Sequence, residues 1–136
     1  MSETSARAGE SPLGRALVVD DDKAIRALTT TVLQRWGLTV DMAANGREAL
    51  ALTADHSYAV IVLDLMMPEM NGLEVIEHLR ARDAALLQRV VVVTAAVQLT
   101  RGHLPEDICH VLLKPFDLGE FQTAVSKCMS GDPPSS

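Results

Sequence analysis

The sequence predicts a doubly wound α/β domain, a five-stranded parallel sheet with helices on both faces. Two observations carry that prediction. Short, continuous, β-branched apolar runs recur along the chain, as strands buried on both faces require. Segments with helical apolar period fall between them, and alternation of this kind selects a parallel sheet with crossover helices.

The elements follow in order. Residues 1–14 are rich in Ser, Gly and Glu and are expected to form a disordered extension to a domain spanning 15–130. Ala16–Val19 is the first strand. Ile25, Leu28, Val32 and Trp36 recur on one helical face, and Gly37 ends that helix. Leu38 to Met42 alternates apolar and polar residues, the pattern of a half-exposed edge strand. A short helix opens near Asn45-Gly46 and carries Ala49 and Leu50. Ala59–Leu63 is the third strand, and Asn71-Gly72 turns the chain into a helix with a Leu73, Ile76 and Leu79 stripe. Val90–Val93 is the fourth strand. Gly102 and Pro105 interrupt the stretch from Gln98 to Cys109, which predicts a short or distorted helix. Val111–Leu113 is the fifth strand, and a final helix shows Leu118, Phe121, Val125 and Cys128 after an Asp117 N-cap. Residues 131–136, GDPPSS, read as a flexible tail.

Composition narrows the function classes. At 136 residues the chain suits one domain. Hydrophobic residues make up 48% but aromatics only 3%, so the core is expected to be aliphatic. A net charge of −6 without a Lys/Arg run argues against binding to a nucleic-acid backbone. Cys109 and Cys128 lack metal-ligand spacing and read as buried apolar fillers in a reduced, cytoplasmic chain. The first residues lack the apolar segment of a signal peptide, and no apolar run approaches membrane-spanning length.

In a doubly wound sheet, ligands bind at the carboxyl ends of the strands. The first run ends at Asp20-Asp21-Asp22, the third at Asp64, the fourth at Thr94 and the fifth at Lys114-Pro115-Phe116. Two carboxylates about 4 Å apart repel by roughly 4 kcal/mol at an effective dielectric near 20. A divalent cation relieves that repulsion, and an oxygen-only ligand set suits Mg²⁺ or Mn²⁺. A cation, a carboxylate, a hydroxyl and an ammonium can together surround a phosphoryl group. Asp64, alone at the end of a central strand, is the best-placed nucleophile.

Four stretches, VVDDDKAIR, VIVLDLMMPEMNGLEVI, VVVTAA and LLKPF, together resemble the receiver domain of response regulators in two-component signalling. The resemblance covers residues 16–116 and extends to about 129 with the final helix. It implies a flavodoxin-like sheet of order 2-1-3-4-5. It also implies that Asp64 is the phosphoacceptor and that Asp20, Asp21 and Asp64 hold Mg²⁺ together with the backbone carbonyl of Met66. Thr94 becomes the switch hydroxyl, and Lys114 the phosphoryl contact before a cis bond to Pro115. The implied donor is a sensor histidine kinase or a histidine phosphotransfer protein. Asp22, just past the acidic pair, reads as an N-cap.

The chain departs from the family pattern in two places, and two further positions are informative. Val111, beside His110, stands where an aromatic residue is usual. The usual small-residue turn before the fifth strand is replaced by Pro105-Glu106-Asp107-Ile108-Cys109. Met66 and Ala96 are both apolar at positions that influence hydrolysis of the acyl phosphate, so slow self-dephosphorylation is expected.

The leading reading is a single-domain receiver that is not an enzyme: it switches protein contacts or relays its phosphoryl group. The alternative is a receiver-like module that docks constitutively. An external phosphatase lacks its expected motif, because Leu65-Met66-Met67 follows Asp64. A flavin-binding domain would need a phosphate loop where this chain places three acids.

Overall fold

The structure, a computed structural model, describes residues 13–96, 98, 100, 102 and 104–129. The expected N-terminal extension and C-terminal tail therefore lie outside the described residues, apart from Leu13 and Gly14. The strands are β1 (Arg15–Val19), β2 (Thr39–Ala43), β3 (Val60–Asp64), β4 (Val90–Thr94) and β5 (His110–Leu113). The helices are α1 (Lys23–Arg35), α2 (Gly46–Asp55), α3 (Gly72–Arg82) and α4 (Leu118–Met129), and a 3-10 turn at Ala84–Arg89 precedes β4. The sheet is parallel and ordered β2-β1-β3-β4-β5, as the resemblance implies.

Strand side chains alternate between two apolar layers. Leu17, Val19, Ile61, Leu63, Val90 and Val92 pack with Ala49 of α2 and Val75, Ile76 and Leu79 of α3. Ala16, Val18, Val60, Val62, Val91 and Val93 face the other way, toward Leu33 of α1 and Phe121, Ala124, Val125 and Cys128 of α4. Each fully buried Val, Leu or Phe contributes about 1.5–3 kcal/mol, so these two layers hold the sheet without many aromatic residues.

The caps sit where the sequence places them. The side chain of Asp22 accepts from the Ala24 and Ile25 amides, that of Asn45 from Glu48, and that of Asn71 from Glu74. The Asp117 carboxylate accepts from the Glu120 amide while the Glu120 carboxylate accepts from the Asp117 amide, a capping box. Gly37, with φ 98°, takes the left-handed position after α1.

Three expectations need correction. Leu28 and Leu118 do not face the core; they are 58% and 56% exposed. Thr29, Thr30 and Leu33 form the buried side of α1 instead. A helical threonine can be buried because its hydroxyl returns to the preceding turn, as Thr29 does to the Ile25 carbonyl. Trp36 is half-buried at the end of α1, its ring 5.7 Å from that of Phe121. The cysteines are not separate fillers: Cys109 and Cys128 are joined by a disulfide, because α4 runs back along β5 and brings its last turn beside the start of that strand. The distorted helix expected between Gln98 and Cys109 falls partly outside the described residues; Leu104 and Ile108 of that stretch pack against the core.

Candidate functional site

Strand register brings the expected residues to one edge. Val19 lies opposite Leu63, Asp64 opposite Val93, and Thr94 opposite Leu113. Asp20 and Lys114 follow their strands directly, their amides bonded to the Ala43 and Thr94 carbonyls. The residues that terminate β1, β3, β4 and β5 thus share one rim.

Asp20, Asp21 and Asp64 each place a carboxylate oxygen within 4.8 Å of the others. Asp20 and Asp64 are buried while Asp21 is exposed. Lys114 Nζ spans the buried pair, 3.5 Å from Asp20 Oδ2 and 3.6 Å from Asp64 Oδ2. A close charge-assisted N–H···O bond measures about 2.7–2.9 Å. Among the described residues, one lysine at longer range therefore leaves the three acids incompletely neutralised. Burial pushes the Asp64 carboxyl up to about 6. The Asp20 charge also raises it, while the Met66 amide and the Lys114 charge draw it down.

The backbone orients these groups. Asp20 Oδ1 accepts from the Asp22 amide at 2.9 Å, and Asp64 Oδ1 accepts from the Met66 amide at 3.1 Å. Thr94 is fully buried, and its Oγ1 accepts from the Ala96 amide at 3.0 Å. The Met66 side chain is 53% exposed beside the acids. Lys114 precedes a cis peptide bond to Pro115.

Two contributors escaped the sequence reading. Arg26 of α1 donates to the Asp20 carbonyl and ties the first helix to the acidic loop. Gly72 had been read only as part of a turn. A Cβ there would lie 2.6 Å from the Asp64 carbonyl oxygen and 2.7 Å from Leu65 Cα. Only glycine lets α3 start this close to the loop that carries Asp64. Neither signal is visible without coordinates, since an arginine on a helix and an Asn-Gly pair each have commoner uses.

An apolar groove of about 620 Å³, lined by Ile25, Leu28, Val32, Phe116 and Leu118, reaches Lys114. The two leucines that miss the core thus line a surface beside the site.

An all-oxygen donor set at this spacing fits Mg²⁺ or Mn²⁺. No described helix is long and apolar enough to cross a membrane.

Residues 16–126 match the family model described as the response regulator receiver domain. The chain is 40% identical over 107 residues to the response regulator MprA of Mycolicibacterium vanbaalenii, covering 79% of this chain and 46% of that protein. It is 30% identical over 117 residues to the regulatory protein AtoC of Escherichia coli, covering 86% of this chain and 25% of that protein. The chain therefore spans less than half the length of these curated relatives. Among solved structures, the response regulator TrrA of Thermotoga maritima, in complex with Mg²⁺-BeF, superimposes with a TM-score of 0.76 at 31% identity, covering 85% of this chain and 98% of that one. The chemotaxis protein CheY4 of Vibrio cholerae gives 0.71 at 28% identity, with coverage of 85% and 98%. The chain belongs to the response regulator receiver domain family of two-component signalling.

Proposed function

We propose that this receiver accepts a phosphoryl group on Asp64 in a reaction that depends on a divalent cation. The observation that carries the reading is the cluster of Asp20, Asp21 and Asp64, with a single lysine 3.5–3.6 Å from its buried pair. Asp20, Asp21 and Asp64, with the Met66 carbonyl, would hold Mg²⁺. The bound ion would supply positive charge to the phosphoryl oxygens.

A deprotonated Asp64 oxygen attacks phosphorus as the phosphorus–nitrogen bond of a donor phosphohistidine breaks. The bonding pair returns to the imidazole, leaving an acyl phosphate on the protein. Lys114 balances the charge that accumulates on the equatorial oxygens, and Thr94 turns its hydroxyl toward the new group. Phosphorylation adds about −1.5 to −2 of charge and shifts the population of the β4–β5 side of the domain. Exposed Met66 and buried Ala96 offer water no polar side chain to orient it, so self-dephosphorylation is slow.

The donor is a sensor histidine kinase or histidine phosphotransfer protein in the cytoplasm. The groove lined by Leu28 and Leu118 gives the donor's helices an apolar landing surface beside Lys114. Output is contact with another protein or onward transfer of the phosphoryl group. In this reading the domain spans residues 15–130.

A two-dimensional NMR titration with beryllofluoride and Mg²⁺ tests the proposal. We expect shifts at the amides of Asp20, Asp64, Thr94 and Lys114, and none in the absence of Mg²⁺. Unmoved resonances would favour constitutive docking without phosphorylation.

A further inference from the structure

We propose that Cys109 and Cys128 form a reversible thiol–disulfide site, exchanging with a small-molecule thiol, that clamps the unit carrying Lys114. The bridge joins the residue before β5 to the last turn of α4, across a sequence separation of 19. Every residue between them belongs to one unit: β5, the Lys114–Pro115 corner, Phe116 and Leu118 of the groove, and α4. Among the described residues, β5 lies at the edge of the sheet and forms a ladder with β4 alone. At its start, the Cys109 amide donates to the Leu87 carbonyl of the 3-10 turn. The disulfide is thus a covalent restraint on an element hydrogen-bonded into the sheet along only one side.

The bridge meets solvent mainly at Cys109, since Cys128 is only 4% exposed. Cys109 is half-buried, and Cys128 lines a cleft of about 350 Å³ with Gly14, Arg15, Ser57 and Arg89. The chain has only these two cysteines, so no internal thiol can resolve the bond. An external thiolate attacks one sulfur, forms a mixed disulfide and expels the other cysteine as a thiolate, which takes up a proton. A second thiol then releases the first, yielding two cysteine thiols and one oxidised small-molecule disulfide, a balanced two-electron exchange. Cytosolic disulfides are usually transient and redox-sensing rather than permanent staples. In the cytoplasmic setting proposed above, the bond therefore acts as a switch. Oxidation fixes the last turn of α4 against β5. Reduction leaves that turn held by the apolar packing of Val125, Cys128 and Met129.

The test compares the full chain after treatment with glutathione disulfide and after treatment with dithiothreitol, both under native conditions. Alkylation followed by mass spectrometry should label neither cysteine in the first sample and both in the second. Hydrogen exchange should speed up severalfold at amides 125–129 on reduction. Phosphoryl uptake from acetyl phosphate should slow severalfold, as Lys114 is held less firmly. Cys109→Ser, which alters the more exposed partner, should match the reduced chain and ignore oxidant. Labelling of both cysteines after oxidation, a bond that resists dithiothreitol, or equal exchange in the two states would overturn the proposal. The uptake readout rests on Asp64 as phosphoacceptor; the other two do not. Redox-dependent exchange without phosphoryl uptake in either state would refute the Asp64 reading and leave the switch standing.

Discussion

Two charged clusters in this domain are built on opposite principles. Asp41 of β2, held by Arg15 of β1 and by Tyr58 just before β3, is fully satisfied. Arg15 Nη1 donates to both of its oxygens, at 2.9 and 3.0 Å, and the Tyr58 hydroxyl donates at 2.7 Å. At the strands' carboxyl rim, three carboxylates crowd together, and the Lys114 amine lies 3.5 Å from one and 3.6 Å from another. Where the fold uses an acid to hold itself together, it supplies close donors. Where it leaves acids short of positive charge, the arrangement suits the cation of the proposed reaction. In the proposed reading the same residue type is structural in one cluster and chemical in the other, and only the partners distinguish them.

The largest expected effect breaks the structural cluster. Asp41→Ala leaves the Arg15 guanidinium and the Tyr58 hydroxyl without their shared acceptor, and should cost about 2 kcal/mol in urea unfolding. The second has the opposite sign. Asp64→Asn removes a buried charge from a repelling cluster, and without Mg²⁺ should stabilise the domain by roughly 1 kcal/mol. Added Mg²⁺ should then raise the melting temperature of the parent chain and hardly change that of the variant. If both substitutions destabilised equally, the contrast between the clusters would disappear.

The smallest effect sharpens the contrast through pH. Burial, then the hydrogen bond to Asp41, raises the Tyr58 phenol well above its ordinary value. The folded state therefore keeps a proton that the unfolded chain loses above about pH 10. The stabilisation is complete below that pH and falls as pH rises beyond it. Tyr58→Phe should cost about 1 kcal/mol at neutral pH and flatten the alkaline decline, measured by thermal melts between neutral and strongly alkaline buffers.

The legibility of the sequence follows the same division. β3 and β4 were readable because strands buried on both faces must be apolar at every position, as VIVL and VVVV are. The rim was readable because a parallel sheet brings all strand ends to one side, so Asp20, Asp64, Thr94 and Lys114 converge by topology alone. The face of α1 was misread because Thr29 and Thr30 look polar in sequence but are buried in the fold, while Leu28 looks like core and lines a groove. The disulfide was illegible for a different reason. A spacing of 19 residues says nothing about distance until α4 is known to return along β5. Gly72 was hidden because the close approach it permits appears only once the loop after β3 folds back onto its own start at Asp64 and Leu65.

The central claim is that Asp64 takes up phosphorus only with a divalent cation held by the acidic cluster. The direct measurement is intact-mass spectrometry of the full chain after incubation with acetyl phosphate, with and without Mg²⁺, followed by peptide mapping. We expect the mass of one phosphoryl group to appear only with Mg²⁺ and to map to Asp64. A gain independent of Mg²⁺, a gain on another residue, or no gain at all would contradict it.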